Sequence, residues 1–110
     1  MDIGIQKIED ITIMVIDGMV TLGSDQQLKQ AFRKEIDAGC RKLILDMMRV
    51  KYIDSLGIGQ IAGGYTDMED VEGQLVLART NEKINELLRL TGLQNHIKTY
   101  ATVEEAIEDM

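Results

Sequence analysis

The hydrophobic positions near the start of the chain alternate with polar or less apolar ones, as they do in strands that are buried on one face. The alternation runs through Ile3, Ile5, Ile11, Ile13 and Val15. The pair Glu9-Asp10 separates the two alternating runs, and this arrangement predicts a β-hairpin with a tight turn at those two residues. Gly18 is predicted to close the second strand.

Later hydrophobic positions recur either at helical spacing or in short apolar runs. The helical spacing predicts four helices, over about 25–39, 55–70, 81–92 and 102–107. Ser24 or Asp25 can cap the first of them. The apolar runs predict short strands at about 43–45, 75–78 and 97–100. Residues 47–53 show neither pattern and are expected to be irregular.

The resulting order of elements, β-β-α-β-α-β-α-β-α, predicts one α/β domain that spans residues 1–110. Strands and helices that alternate after an opening hairpin are typical of a mixed, mostly parallel sheet. Right-handed crossovers join the strands of such a sheet, and about four helices cover it here. The length of 110 residues is enough for one hydrophobic core.

The charge and the residue usage exclude several classes of function. Twelve Lys and Arg against 19 Asp and Glu give a formal net charge of -7, and aromatic residues make up only 4% of the chain. This composition argues against a nucleic-acid reader and against docking on an anionic membrane. Cys40 and His96 are the single residues of their kinds, so we expect no disulfide, metal or cofactor. Because no signal peptide or membrane-spanning run is evident, a cytoplasmic location is expected.

One predicted helix contains more glycine than a helix ordinarily tolerates. Gly57, Gly59, Gly63 and Gly64 all fall within residues 55–70. Each glycine costs a helix interior about 1 kcal/mol relative to alanine. The segment therefore needs a bare backbone, because either another element of the fold or a partner approaches it closely.

Ser55 lies in the first turn of this helix, next to Asp54. Either residue could be the N-cap, and the sequence does not separate the two. The N–H groups at a helix start favour a phosphate, and a phosphate on Ser55 would add about -1.5 to -2 charge beside Asp54. Two interpretations stay open, a plain cap and a regulatory hydroxyl. Capping explains Asp54 and Ser55 but does not explain Gly57 and Gly59.

Two enzymatic interpretations fit the residues poorly. Residues 57–62 formally match the G-x-G-x-x-G/A fingerprint of dinucleotide-binding folds, but ten residues separate Gly57 from the predicted strand end at Asp46. Ser55 lacks the G-x-S-x-G elbow of serine hydrolases, and His96 is the only imidazole that could serve as its base. The chain is therefore expected not to be an enzyme.

Two segments of the chain resemble the signature of STAS domains, and more narrowly that of bacterial anti-sigma-factor antagonists. In the first, a buried strand at residues 43–46 that ends in Asp46 is followed by an Asp-Ser-x-Gly-x-Gly turn at residues 54–59 and a helix. In the second, residues 81–93 resemble the third helix of the family and its Gly-Leu exit. The element order also agrees, so the resemblance spans nearly the whole chain.

The resemblance implies a protein-binding switch with no catalysis of its own. Ser55 would be phosphorylated by an anti-sigma factor that is a serine kinase of the histidine-kinase ATPase type. The unphosphorylated form would bind that kinase and free the sigma factor, and a metal-dependent phosphatase would reset the serine. The residues implied for the partner-binding surface are Thr21, Gly23, Ser24, Asp54, Ser55, Leu56, Gly57 and Gly59.

Two residues depart from the family pattern. Thr21 stands where many antagonists have a carboxylate near the phosphoserine, and Leu56 stands where Ser or Ala is usual. These departures leave open a neighbouring branch of the family with a different partner. The alternative function is an accessory or scaffold subunit of a stress-signalling or lipid-transport ATPase complex, which needs no modified serine.

Overall fold

The chain forms six strands and four α-helices. The computed structural model describes all residues, 1–110. The elements are β1 (Asp2–Ile8), β2 (Ile11–Val20), α1 (Asp25–Asp37), β3 (Lys42–Asp46), β4 (Val50–Ile53), α2 (Ser55–Asp70), β5 (Gln74–Ala78), α3 (Glu82–Leu90), β6 (Thr99–Tyr100) and α4 (Val103–Asp109). β3 and β4 follow each other without a helix between them. Two short 3-10 turns, Leu22–Ser24 and Leu93–Asn95, follow β2 and α3. No helix is both long and apolar enough to span a membrane.

The sheet has the strand order β1-β2-β3-β5-β6, and β4 pairs with the end of β2 beyond β3. Only the β1–β2 pair is antiparallel, and the hairpin closes where Ile8 faces Ile11. The other pairs are parallel. Because β3, β5 and β6 are added successively in one direction, right-handed crossovers place α1, α2 and α3 on the same face of the sheet.

The two faces of the sheet carry cores of different size. Twenty-one buried residues form the larger core, in which Phe32 of α1, Ile61 of α2 and Leu88 of α3 pack against the strands. Six buried residues form the smaller core, where Ala106 of α4 packs on the opposite face. Helices that would otherwise be marginal are stabilised in this way by the burial of their apolar faces.

The structure confirms the mixed, mostly parallel α/β sheet, the N-terminal hairpin and the four helices. It differs from the prediction at residues 47–53, which contain β4. Val50 and Ile53 are buried there while Lys51 and Tyr52 are exposed, so the strand lacks the alternation that would reveal it. The prediction that β2 closes at Gly18 is also wrong, because the strand continues to Val20.

β2 changes its pairing partner from β3 to β4 near Gly18. The pairing register shifts between Gly18 and Met19, and Gly18 has a φ of 122°. A residue with a side chain rarely adopts that φ, which explains why glycine stands at this position. The extended β2 then carries the chain to the beginning of α2, where Val20 pairs with Ile53.

Candidate protein-binding site

Asp54, and not Ser55, caps α2. Asp54 has an extended backbone, and its Oδ1 atom accepts a hydrogen bond of 3.0 Å from the N–H of Gly57. Its carbonyl oxygen accepts the first intrahelical bond, from the N–H of Ile58 at 3.0 Å. Ser55 is the first residue of the helix and is exposed. Since Asp54 already satisfies the cap, capping does not account for the hydroxyl of Ser55.

Gly57 and Gly64 lie on the side of α2 that packs against the rest of the fold. A Cβ atom on Gly57 would lie 2.0 Å from the carbonyl oxygen of Val20, so the start of α2 touches the end of β2 backbone to backbone. A Cβ atom on Gly64 would lie 2.5 Å from the ring of Phe32. Close packing within the fold therefore explains these two glycines.

Gly59 and Gly63 lie on the opposite side of α2, where a Cβ atom would meet nothing within 4 Å. Both line a groove of about 390 Å³ between α1 and α2. Leu22, Phe32 and Leu56 supply its hydrophobic lining. Packing within the fold does not explain these two glycines, because nothing in the chain occupies the space above them.

The turn that follows β2 is held against α2 by a polar network centred on Ser24. Ser24 is only 5% exposed, and its Oγ atom accepts a hydrogen bond of 3.1 Å from the N–H of Thr21. The Ser24 hydroxyl lies 2.8 Å from both the Thr21 carbonyl oxygen and Gln60 Oε1, and its single proton serves one of them at a time. The Gln60 side-chain amide in turn donates to the Thr21 carbonyl oxygen.

Exposed apolar side chains concentrate around this end of α2. Eight large hydrophobic residues of the chain are exposed, and four of them lie within three residues of Thr21 or Ser55. These four form what we call the apolar patch, which consists of Met19, Leu22, Tyr52 and Leu56. Met19 and Tyr52 are register partners in the β2–β4 pair. Apolar side chains clustered on the surface of a monomer mark protein-interaction sites.

The buried Asp46 belongs to the framework of this end of the sheet. Arg79 donates from its Nε to Asp46 Oδ1 at 2.9 Å and from its Nη2 to Oδ2. The N–H of Met48 also donates to Oδ1, at 3.2 Å. The hydrogen bond to Asp46 raises the pKa of Arg79, so the guanidinium stays charged. Because its carboxylate is fully engaged, Asp46 fixes the connection to β4 and is not free for a ligand.

The eight residues that the sequence suggested for partner contact do not all reach the surface. Gly23, Ser55, Leu56 and Gly59 are exposed, and Thr21 and Asp54 are half-buried. Ser24 and Gly57 are buried, the first inside the turn and the second against Val20. These two therefore shape the surface from beneath.

The sequence predicted no role for Gln60. Its only signal in the sequence is that it is the single polar side chain between Leu56 and Thr66 apart from Tyr65. Its role depends on a contact with a turn 36 residues away, which no local pattern encodes.

Comparisons with known proteins agree with this architecture. The sequence model of the STAS domain matches residues 2–106. A protein of Thermotoga neapolitana, named as an anti-sigma factor antagonist, is 27% identical over 104 residues, which are 94% of this chain and 92% of that protein. A crystal structure of a Thermotoga maritima protein named in the same way has a TM-score of 0.90 at 26% identity, covering 97% of this chain and 92% of that one.

A more distant structure shares the fold. The Bacillus cell fate determinant SpoIIAA in its phosphorylated form has a TM-score of 0.76 at 21% identity, over 98% of each chain.

Proposed function

The chain belongs to the STAS domain family, and from this premise we propose that it is an anti-sigma factor antagonist controlled by phosphorylation of Ser55. Its relatives carry that name, and SpoIIAA is known in a phosphorylated form. The observation that carries the proposal is an exposed serine at the start of α2, beside the apolar patch and not used as the cap.

The partner in this proposal is an anti-sigma factor that is a serine kinase of the histidine-kinase ATPase type. It docks on the apolar patch when Ser55 carries a neutral hydroxyl, because burial of apolar surface favours association. The antagonist acts as a substrate and binding partner, so its own residues catalyse nothing. A phosphatase restores the hydroxyl. The cycle of phosphorylation and dephosphorylation takes place in the cytoplasm.

Phosphorylation opposes docking through charge and desolvation. A phosphate on Ser55 adds about -1.5 to -2 charge next to Asp54, on a chain whose net charge is already -7. The N–H groups at the start of α2 can hold the phosphate in place. A partner that covered the phosphate would have to remove water from a dianion. The free-energy cost of that desolvation prevents binding to a surface that accommodates a neutral hydroxyl.

The phosphoacceptor can be tested directly, because the chain contains only two serines, Ser24 and Ser55. The protein is incubated with Mg-ATP and each purified anti-sigma kinase of the source organism, and phosphopeptides are mapped by mass spectrometry. We expect one phosphoryl group, on Ser55, and none on the Ser55→Ala variant. Failure of every kinase to modify the wild-type protein would contradict the proposed control.

Binding measurements separate the switch from the alternative function. We expect Ser55→Asp to weaken binding of the cognate kinase at least about tenfold, which corresponds to about 1.4 kcal/mol. Ser55→Ala should bind as the wild type does. The alternative function is an accessory subunit that docks without a modified serine, and the exposed Leu56 favours it. Under that alternative, both variants should bind equally well.

A further inference from the structure

We propose that Gln60 is a positioning residue for partner recognition, which latches the turn of residues 21–24 onto α2. The latch presents Leu22 and Leu56 as one preformed surface beside Ser55. This inference rests on the proposed function, since it assigns the partner surface its shape. Gln60 lies outside the Asp-Ser-x-Gly-x-Gly turn at residues 54–59.

The latch joins two elements through two contacts between four polar atoms. Gln60 Oε1 lies 2.8 Å from the Ser24 hydroxyl, while Gln60 Nε2 donates to the Thr21 carbonyl oxygen. Both ends of the amide are thus engaged by the same turn. Gln60 is the only residue of α2 whose side chain hydrogen-bonds to the 21–24 turn.

The turn is joined to β2, whose last residue Val20 pairs with Ile53, and to α1 at Asp25, but only Gln60 ties it to α2 by side-chain hydrogen bonds. Its tip residue, Leu22, is 71% exposed, so burial of that side chain does not anchor it. Its other bonds are internal, from the Thr21 N–H to Ser24 Oγ and from the Ser24 N–H to the Thr21 carbonyl. These internal bonds keep the shape of the turn but do not fix its position. Without Gln60, the turn would lose its attachment to α2, and its internal bonds would open more often.

A fixed turn matters for recognition because Leu22 and Leu56 come from different elements. Both line the groove between α1 and α2. A surface that is already ordered binds with a smaller loss of conformational freedom than one that must be assembled on contact. Loosening the latch should therefore weaken docking without altering Ser55 itself.

The test compares Gln60→Met with Gln30→Met. Methionine keeps the length of glutamine and removes its hydrogen bonds, and Gln30 is an exposed glutamine of α1 that makes no side-chain hydrogen bond. Hydrogen exchange of the Thr21 and Ser24 amides should rise about tenfold in Gln60→Met, as local opening becomes easier, and stay unchanged in Gln30→Met. Unchanged exchange in Gln60→Met would overturn the latch.

Kinase kinetics test whether the latch serves recognition. With the kinase that phosphorylates the wild type, Gln60→Met should raise KM about tenfold and leave kcat unchanged, because the phosphoacceptor is intact. A variant that only reduced the folded fraction would lower activity in step with thermal unfolding, and Gln30→Met would match the wild type. A KM equal to that of the wild type would overturn the positioning role.

A second variant protects the test against a folding artefact. Ser24→Ala removes the contact between the Ser24 hydroxyl and Gln60 Oε1, together with the bond that Ser24 Oγ accepts from the Thr21 N–H. The double variant should be no worse in KM than the stronger single variant, because both changes break one network. Additive losses would contradict a shared latch.

If no kinase modifies the wild type, the proposed function and the recognition role fail together. The hydrogen-exchange measurement still decides whether the latch exists.

Discussion

Glycine faces inward at two positions of α2 and outward at two others, and the two pairs have different reasons to be glycine. At Gly57 and Gly64 a methyl group would collide with Val20 or with Phe32. At Gly59 and Gly63 it would point into an open groove. The helix loses about 1 kcal/mol at each position relative to alanine. In the free protein, packing compensates for that cost only at Gly57 and Gly64.

The difference teaches that a costly residue can be assigned to the fold or to the surface by what surrounds it. The inward pair lets α2 sit directly on the end of β2 and on α1. The outward pair leaves the backbone bare beside Ser55 and the apolar patch, where the proposed partner docks. The inward glycines should therefore govern stability, and the outward ones should govern binding.

The largest effect is expected for Gly57→Ala. The new methyl group would meet a backbone carbonyl oxygen at 2.0 Å, and neither the strand nor the helix can move aside without breaking pairing. We expect a loss of about 3 kcal/mol in the free energy of unfolding, the upper end of what overpacking costs. Urea denaturation measures it, with Gly59→Ala as the matched control. A loss below about 1 kcal/mol would contradict a direct backbone contact between Gly57 and Val20.

A smaller loss is expected for Gly64→Ala, because its neighbour is a side chain. The ring of Phe32 lies 2.5 Å from the position of the added Cβ, and it can rotate at some cost in packing. We expect a loss of about 2 kcal/mol in the free energy of unfolding. The double variant with Phe32→Leu should lose less than the sum of the two single losses, since the smaller side chain makes room. Strict additivity in urea denaturation would contradict the clash.

The same division between fold and surface separates Asp54 from Ser55. Asp54→Ala removes the bond to the Gly57 N–H and should cost about 1 kcal/mol in the free energy of unfolding. Ser55→Ala should change stability by less than about 0.5 kcal/mol, because the exposed hydroxyl caps nothing. Thermal and urea unfolding of the two variants measure the contrast. Equal losses would mean that Ser55 shares the capping role after all.

The sequence predicted those parts of the molecule that depend on local periodicity. The bounds of α2, 55–70, follow from its helical spacing, and the hairpin turn at Glu9-Asp10 follows from the alternation on either side. β4 was not predicted, because two exposed residues separate its buried ends. The glycines predicted that something approaches the helix closely. They did not indicate whether it is another element of the fold or a partner. Gln60 could not be found at all, since its contacts join residues far apart in the chain.

A small gain in stability, and the result most informative about binding, is expected for Gly63→Ala. The methyl group has open space and alanine favours the helix, so the free energy of unfolding should rise by about 0.5 to 1 kcal/mol. The same methyl group narrows the groove where the proposed partner docks, so affinity for the cognate kinase should fall severalfold. A more stable protein that binds less tightly cannot be explained by damage to the fold.

Urea denaturation and calorimetric titration on one preparation test this prediction. Gly92→Ala, which is remote from the groove, is the control for binding alone. If Gly63→Ala gains stability and binds as tightly as the wild type, the outward glycines do not serve the partner, and docking is confined to the apolar patch.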